Sequence, residues 1–244
     1  MNRVFTIITL ALAGVAASQA GLTASFQNAT NLGAGIYQYN YSLSMAANDE
    51  LNPAAIVGAL CTTGSGTGPC TPSTTFATLY DIPNLVVNGT TPSVGSNAGW
   101  GVVTQFVGVT PETNAGGPVN APNGDSASLL NVTFYYTGAT DYCGSSSFGC
   151  TGTVQNVFTG FSLEVTGSEG QTTVGSYTSS VTNSQLYNLG GQSGLNAVDY
   201  ASGSLLIPSV PGITDAATPE PASIALLGLG LVGIGFAGRK KSRS

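Results

Sequence analysis

Residues 157–167, Val157-Phe158-Thr159-Gly160-Phe161-Ser162-Leu163-Glu164-Val165-Thr166-Gly167, decide the fold class of this chain. Phe161, Leu163 and Val165 alternate with Ser162, Glu164 and Thr166. Successive side chains of a strand point to opposite faces, so a period of two gives one apolar face and one polar face. "GIYQYNYSLSM" repeats the pattern, with Tyr37, Tyr39, Tyr41 and Leu43 set against Gln38, Asn40, Ser42 and Ser44. "SLLNVTFYYTG" does so with Leu130, Val132, Phe134 and Tyr136 set against Asn131, Thr133 and Tyr135. "FATLYDI", "GWGVVTQFVGV", "TTVGSYTSSV" and "GSLLIP" are further strand candidates, separated by segments rich in Pro, Gly, Asn and Asp.

No amphipathic helix competes with these strands. "NDELNPAAIVGAL" comes nearest, and Pro53 interrupts it unless a helix starts there. Short antiparallel strands with one wet face each bury their apolar faces against one another. The expected fold is therefore an all-β, antiparallel two-sheet sandwich, jelly-roll-like in winding, over residues 21–213. "TPETNAGGPVNAPNGDSAS" reads as an exposed loop within it, with a subdomain boundary there as the alternative.

The ends do not belong to this body. Residues 1–20 carry one basic residue, Arg3, then an apolar run from Val4 to Ala17, then Ser18-Gln19-Ala20. That is the layout of a signal peptide, with cleavage between Ala20 and Gly21. The apolar run is short for a membrane anchor, which is the other reading of this segment. Residues 214–244 open with the spacer "TDAATPEP" and continue as "ASIALLGLGLVGIGFAG", a chargeless stretch over about 222–238. It reads as one transmembrane helix, whose glycines lipid tolerates better than water does. Arg239, Lys240, Lys241 and Arg243 in the basic tail 239–244 then orient the chain, holding their end in the cytoplasm and leaving the body outside the inner membrane.

Charge is distributed unusually. Between Gly21 and Thr218 there are ten Asp and Glu residues and no Lys, Arg or His. Nucleic acid is excluded as a partner, because no cation is present to displace its counterions. A neutral polymer or calcium suits such a surface. Without His, Lys or Arg the body has no Ser-His-Asp triad, no histidine-ligated metal, no Schiff-base lysine and no arginine phosphate clamp. Carboxylate chemistry of the glycoside hydrolase type is what remains, and it needs two acids about 5–10 Å apart. No pair stands out among Asp49, Glu50, Asp141 and Glu164, so the body is expected to be non-enzymatic. No metal site is assigned; if calcium binds, Asp49, Glu50, Asp125 and Asp141 are the oxygen donors to consider. Trp100 and the Tyr37–Tyr41 strand could stack on sugar rings, although core positions are the commoner use of such residues.

The cysteines form two local pairs, Cys61 with Cys70 and Cys143 with Cys150, each bracketing a Gly/Ser-rich loop. In an exported chain they read as disulfides, and of the three pairings four cysteines allow, the local one is favoured. The spacings do not fit a zinc site.

Pro219-Glu220-Pro221, the Gly/Leu-rich helix after it and the terminal basic cluster together resemble the PEP-CTERM sorting domain of exported bacterial surface proteins. The resemblance covers about residues 217–243. It implies recognition at Pro219, Glu220 and Pro221 by exosortase, an integral-membrane processing enzyme, followed by loss of the helix and tail. The chain would be anchored in the inner membrane only transiently and end at the cell surface or outside the cell. It further implies an association with exopolysaccharide and the biofilm matrix. The body is then expected to be a structural or adhesive component. A carbohydrate-binding module of the matrix is the first alternative, and a carboxylate glycosidase the second.

Overall fold

The computed structural model describes residues 21–52, 75–108, 123–191 and 198–210. The described residues form an all-β body of twelve strands in two sheets. The first sheet has the order β1-β2-β10-β5, where β1 is Thr23–Gly33, β2 Ile36–Ser44, β5 Leu85–Val86 and β10 Val157–Thr166. The second sheet is built on β11, Thr172–Asn183. One edge of β11 takes β12, Val198–Pro208. The other edge takes β4, Phe76–Ile82, and then β3, Asp49–Leu51, end to end. β7, Leu130–Tyr136, and β6, Trp100–Gln105, continue outward from β4. β8, Tyr142–Cys143, and β9, Thr153–Val154, continue from β3.

Antiparallel pairing is not universal, because β8 and β9 run parallel. The stretch 48–60 also begins differently from a helix. Asp49–Leu51 is strand β3, while residues 53–60 lie outside the described residues. Most of the loop read at 110–128 lies outside them too.

The core lies between the sheets. Tyr39, Tyr41, Leu43, Phe161, Leu163 and Val165 of the first meet Leu79, Val132, Phe134, Tyr136 and Val181 of the second in one apolar cluster. The Phe134 and Phe161 rings lie 5.0 Å apart, and Trp100 stands 5.0 Å from Phe161. Phe158 and Phe161 are both buried although three residues apart. A bulge makes this compatible with a strand. The register shifts between Thr159 and Phe161, and Gly160 between them takes φ +88°, a conformation that disfavours a side chain.

The second sheet departs from the expected wet face. Thr78, Tyr80, Asn131, Thr133 and Thr178 are all fully buried. Their polar atoms are paired across strands, Thr78 with Thr133 at 2.9 Å and Tyr80 with Thr178 at 2.8 Å. A hydroxyl that finds a partner enters the interior at little cost. The polar row of β7 thus marks a second buried face and not a solvated one.

Candidate functional site

The acidic residues singled out above, Glu164 excepted, fall into three groups. In the first, β3 places Asp49 and Glu50 between β11 and β8, with Asn183 opposite Asp49 and Cys143 opposite Glu50. Both acids are fully buried. Glu50 is held by two amides: Asn52 donates to Oε1 at 2.9 Å and Asn188 to Oε2 at 3.1 Å. Burial raises its pKa and these two donors oppose the rise. Asp49 is less well served. Its Oδ2 accepts the Gly21 N–H at 3.2 Å, the Ala46 backbone N–H also favours the charged carboxylate, and its Oδ1 makes no hydrogen bond. Burial, then the like charge of Asp199 on β12, pushes its pKa up to about 8. Asp199 in turn accepts from Asn183 Nδ2 at 2.6 Å. The charge composition had given no reason to single out Asp199.

The second group surrounds Asn131. Its Nδ2 donates to Asp125 Oδ1 at 2.8 Å and to the Phe106 carbonyl at 3.2 Å, while its Oδ1 accepts the Asp81 N–H at 2.7 Å. Asp125 Oδ2 accepts the Gly108 N–H at 2.8 Å, and Asp81 Oδ1 the Ser126 N–H at 2.9 Å. Asp81 sits at φ +59° beside the register shift that ends β4. Burial raises its pKa, the Ser126 amide opposes that, and Asp125 adds to it. The donors around Asp81 and Asp125 are the protein's own amides, so this network closes a loop onto the sheet.

The third group is Asp141 with Cys143 and Cys150. One oxygen and two sulfurs lie within 4.8 Å of one another, the only such metal-sized group among the described residues. The sulfurs cannot be ligands, because Cys143 and Cys150 are joined in a disulfide. A lone carboxylate remains. Asp49, Glu50, Asp125 and Asp141, considered together for calcium, do not converge on one metal-sized group among the described residues, although Asp141 lies near enough to Glu50 for its charge to raise the Glu50 pKa. Glu164 stands apart from all three groups on β10, half-buried. Cys61 and Cys70 lie outside the described residues.

The aromatic candidates for sugar stacking are interior. Tyr39 and Tyr41 are fully buried, and Trp100 packs on Tyr136, Phe158 and Phe161. Only Tyr37 is partly open, and its hydroxyl accepts from Asn31.

At the N-terminal end Gly21 is described and Ala20 is not. The C-terminal candidates Pro219, Glu220, Pro221, Arg239, Lys240, Lys241 and Arg243, and the helix expected over 222–238, also lie outside the described residues. Among the described residues no helix is long and apolar enough to cross a membrane. For this end the comparison with protein families decides. Residues 217–241 match the PEP-CTERM protein-sorting motif.

The PEP-CTERM match contains Pro219–Pro221 and the first three basic residues of the tail, and it stops two residues before Arg243. A PEP-CTERM signal marks an exported protein and implies processing by exosortase, a membrane enzyme. No curated protein and no solved structure matches the chain.

Proposed function

We propose that this chain is a non-enzymatic structural or adhesive component of the cell surface or extracellular matrix, delivered as an exosortase substrate. The observation that carries the reading is the PEP-CTERM motif at residues 217–241. A helix over about 222–238 would anchor the precursor in the inner membrane until the segment at Pro219-Glu220-Pro221 is cut. Two prolines keep that segment out of helical conformation, which suits an extended substrate in an enzyme's groove. Exopolysaccharide of a biofilm matrix is the partner proposed for the released body. A side-chain charge set of ten acids and no bases makes polyanions poor alternatives.

The non-enzymatic reading is supported by how the acids are used. The pairs Asp49 with Asp199 and Asp81 with Asp125 are engaged by the protein's own amides, and Asp49 is fully buried. A jelly-roll-like winding is supported by the chain's repeated passage between the sheets, from β2 to β3, β4 to β5, β5 to β6, β9 to β10 and β10 to β11.

Fractionation tests the delivery step. In the native host, a chain with Pro219, Glu220 and Pro221 all replaced by alanine should accumulate in the membrane fraction while the wild type leaves it. Equal release of both would overturn the reading.

A further inference from the structure

The body contains no lysine, arginine or histidine from Gly21 to Thr218. It nevertheless buries Asp49 beside the half-buried Asp199, and an interior charge normally requires an opposite charge beside it. One cation can still be supplied by the chain itself. It is the α-amino group that appears at Gly21 if export cuts the Ala20–Gly21 bond.

The structure puts that nitrogen at the acid pair. Gly21 is buried, and its N lies 3.2 Å from Asp49 Oδ2. Asp49 Oδ1, shut off from solvent, has no partner. Asp199 stands close enough to accept a hydrogen bond from the protonated form of Asp49, and it is the one titratable side chain acting on it. The nitrogen is also held in position. Gly21 has φ +122°, and a Cβ there would fall 2.7 Å from the Ala201 backbone nitrogen on β12. The next residue, Leu22, is fully buried, and its carbonyl accepts from Ser179 Oγ at 2.5 Å.

We propose that removal of residues 1–20 is a maturation step for the fold as well as for export: the Gly21 ammonium is the counter-cation of the buried Asp49 and its half-buried neighbour Asp199, and pins the start of β1 to β3 and β12. In the cut, water adds across the Ala20–Gly21 amide. Its hydroxyl goes to the Ala20 carbonyl carbon and its hydrogen to the Gly21 nitrogen. The new amine then takes a proton from solvent, since an α-amino group has a pKa of about 7.7–8.0. A peptide N–H offers one donor and no charge, whereas an ammonium offers three donors and a full charge. One donor reaches Oδ2 already, leaving two for Oδ1 and Asp199. With only an amide at Gly21, Asp49 is driven towards its neutral form by burial and by Asp199, which raise its pKa to about 8.

The inference rests on the export reading only for the position of the cut, and the test separates the two. The exported protein is purified from cells, its N-terminus is identified by mass, and it is treated at neutral pH with an amine-reactive ester. Gly21 carries the one amine of the body, and peptide mapping distinguishes it from Lys240 and Lys241. The folded chain should label at Gly21 at least tenfold more slowly than the urea-unfolded chain, and Asp49→Asn should restore most of the rate. One additional alanine before Gly21 should lower the urea midpoint of the wild type but hardly change that of Asp49→Asn. A chain that begins at Gly21 yet labels equally fast folded and unfolded would overturn the inference and leave the export reading intact. An N-terminus at any other residue would overturn both the cut and the inference. The wild-type labelling stands even if the variant fails to fold.

Discussion

Asp49 is the residue on which pH dependence turns. An unfolded aspartate titrates near 3.9, well below the folded Asp49 of an amide-terminated chain, which burial and Asp199 push up to about 8. The folded state therefore binds the proton more tightly, and its stability is lost as the pH rises from about 4 towards 8. Glu50, Asp81 and Asp141, each raised by burial, act with the same sign. An ammonium at Gly21 would lower the Asp49 pKa and remove most of its share of that loss. Between pH 5 and 7, the urea midpoint of a chain beginning at Gly21 should fall less than that of the same chain with its N-terminus acetylated. Equal slopes would contradict this account. Asn131 gives a second prediction at this scale. Asn131→Ala removes the donor to Asp125 and the acceptor of the Asp81 N–H inside a buried network. It should cost about 2–4 kcal/mol in urea unfolding. Neither role was legible in the sequence. Asn131 read as the wet side of a strand, and Asp199 meets Asp49 only because β12 and β3 flank the same strand, β11.

Elements were legible in proportion to their periodicity and length. β2, β7 and β10 announced themselves because long apolar side chains alternate over many residues, and those side chains now form the core. β1 was missed. It is an edge strand whose outer half is exposed, so Asn, Gln, Ser and Thr suffice there and leave no apolar row to read. β3, β8 and β9 are two or three residues long, shorter than any period that could be detected. They are held by other means. Gly144 N donates to the Asp49 carbonyl at 2.8 Å, Ser147 Oγ donates to that same carbonyl, and the Cys143–Cys150 disulfide closes the loop that follows β8. Replacing both cysteines by serine should destabilise by about 2.5 kcal/mol, the chain-entropy value for so short a loop. Comparison of urea midpoints checks it, and an unchanged midpoint would show that the hydrogen bonds suffice alone.

On the scale of the whole molecule, the chain separates its charges by destination. All but one of its five Lys and Arg residues lie at or after Arg239, beyond the PEP-CTERM prolines, and the remaining one is Arg3. Both basic ends are thus in segments that export and sorting would remove, and what they would leave is a body of acids whose one cation would be its new N-terminus. The sorting signal was legible because its tripeptide, apolar run and basic tail are contiguous. The role of the body was not, because Tyr39, Tyr41 and Trp100 are spent on the core and Glu50, Asp81 and Asp125 on the protein's own amides.

Intact mass of the protein from its native host, with membranes and medium analysed separately, tests this account most directly. It predicts a body that begins at Gly21, ends at the Pro219–Pro221 region and is found outside the membrane fraction. A mass that runs through to Ser244 in the membrane fraction would show that the tail is a plain anchor and would contradict it.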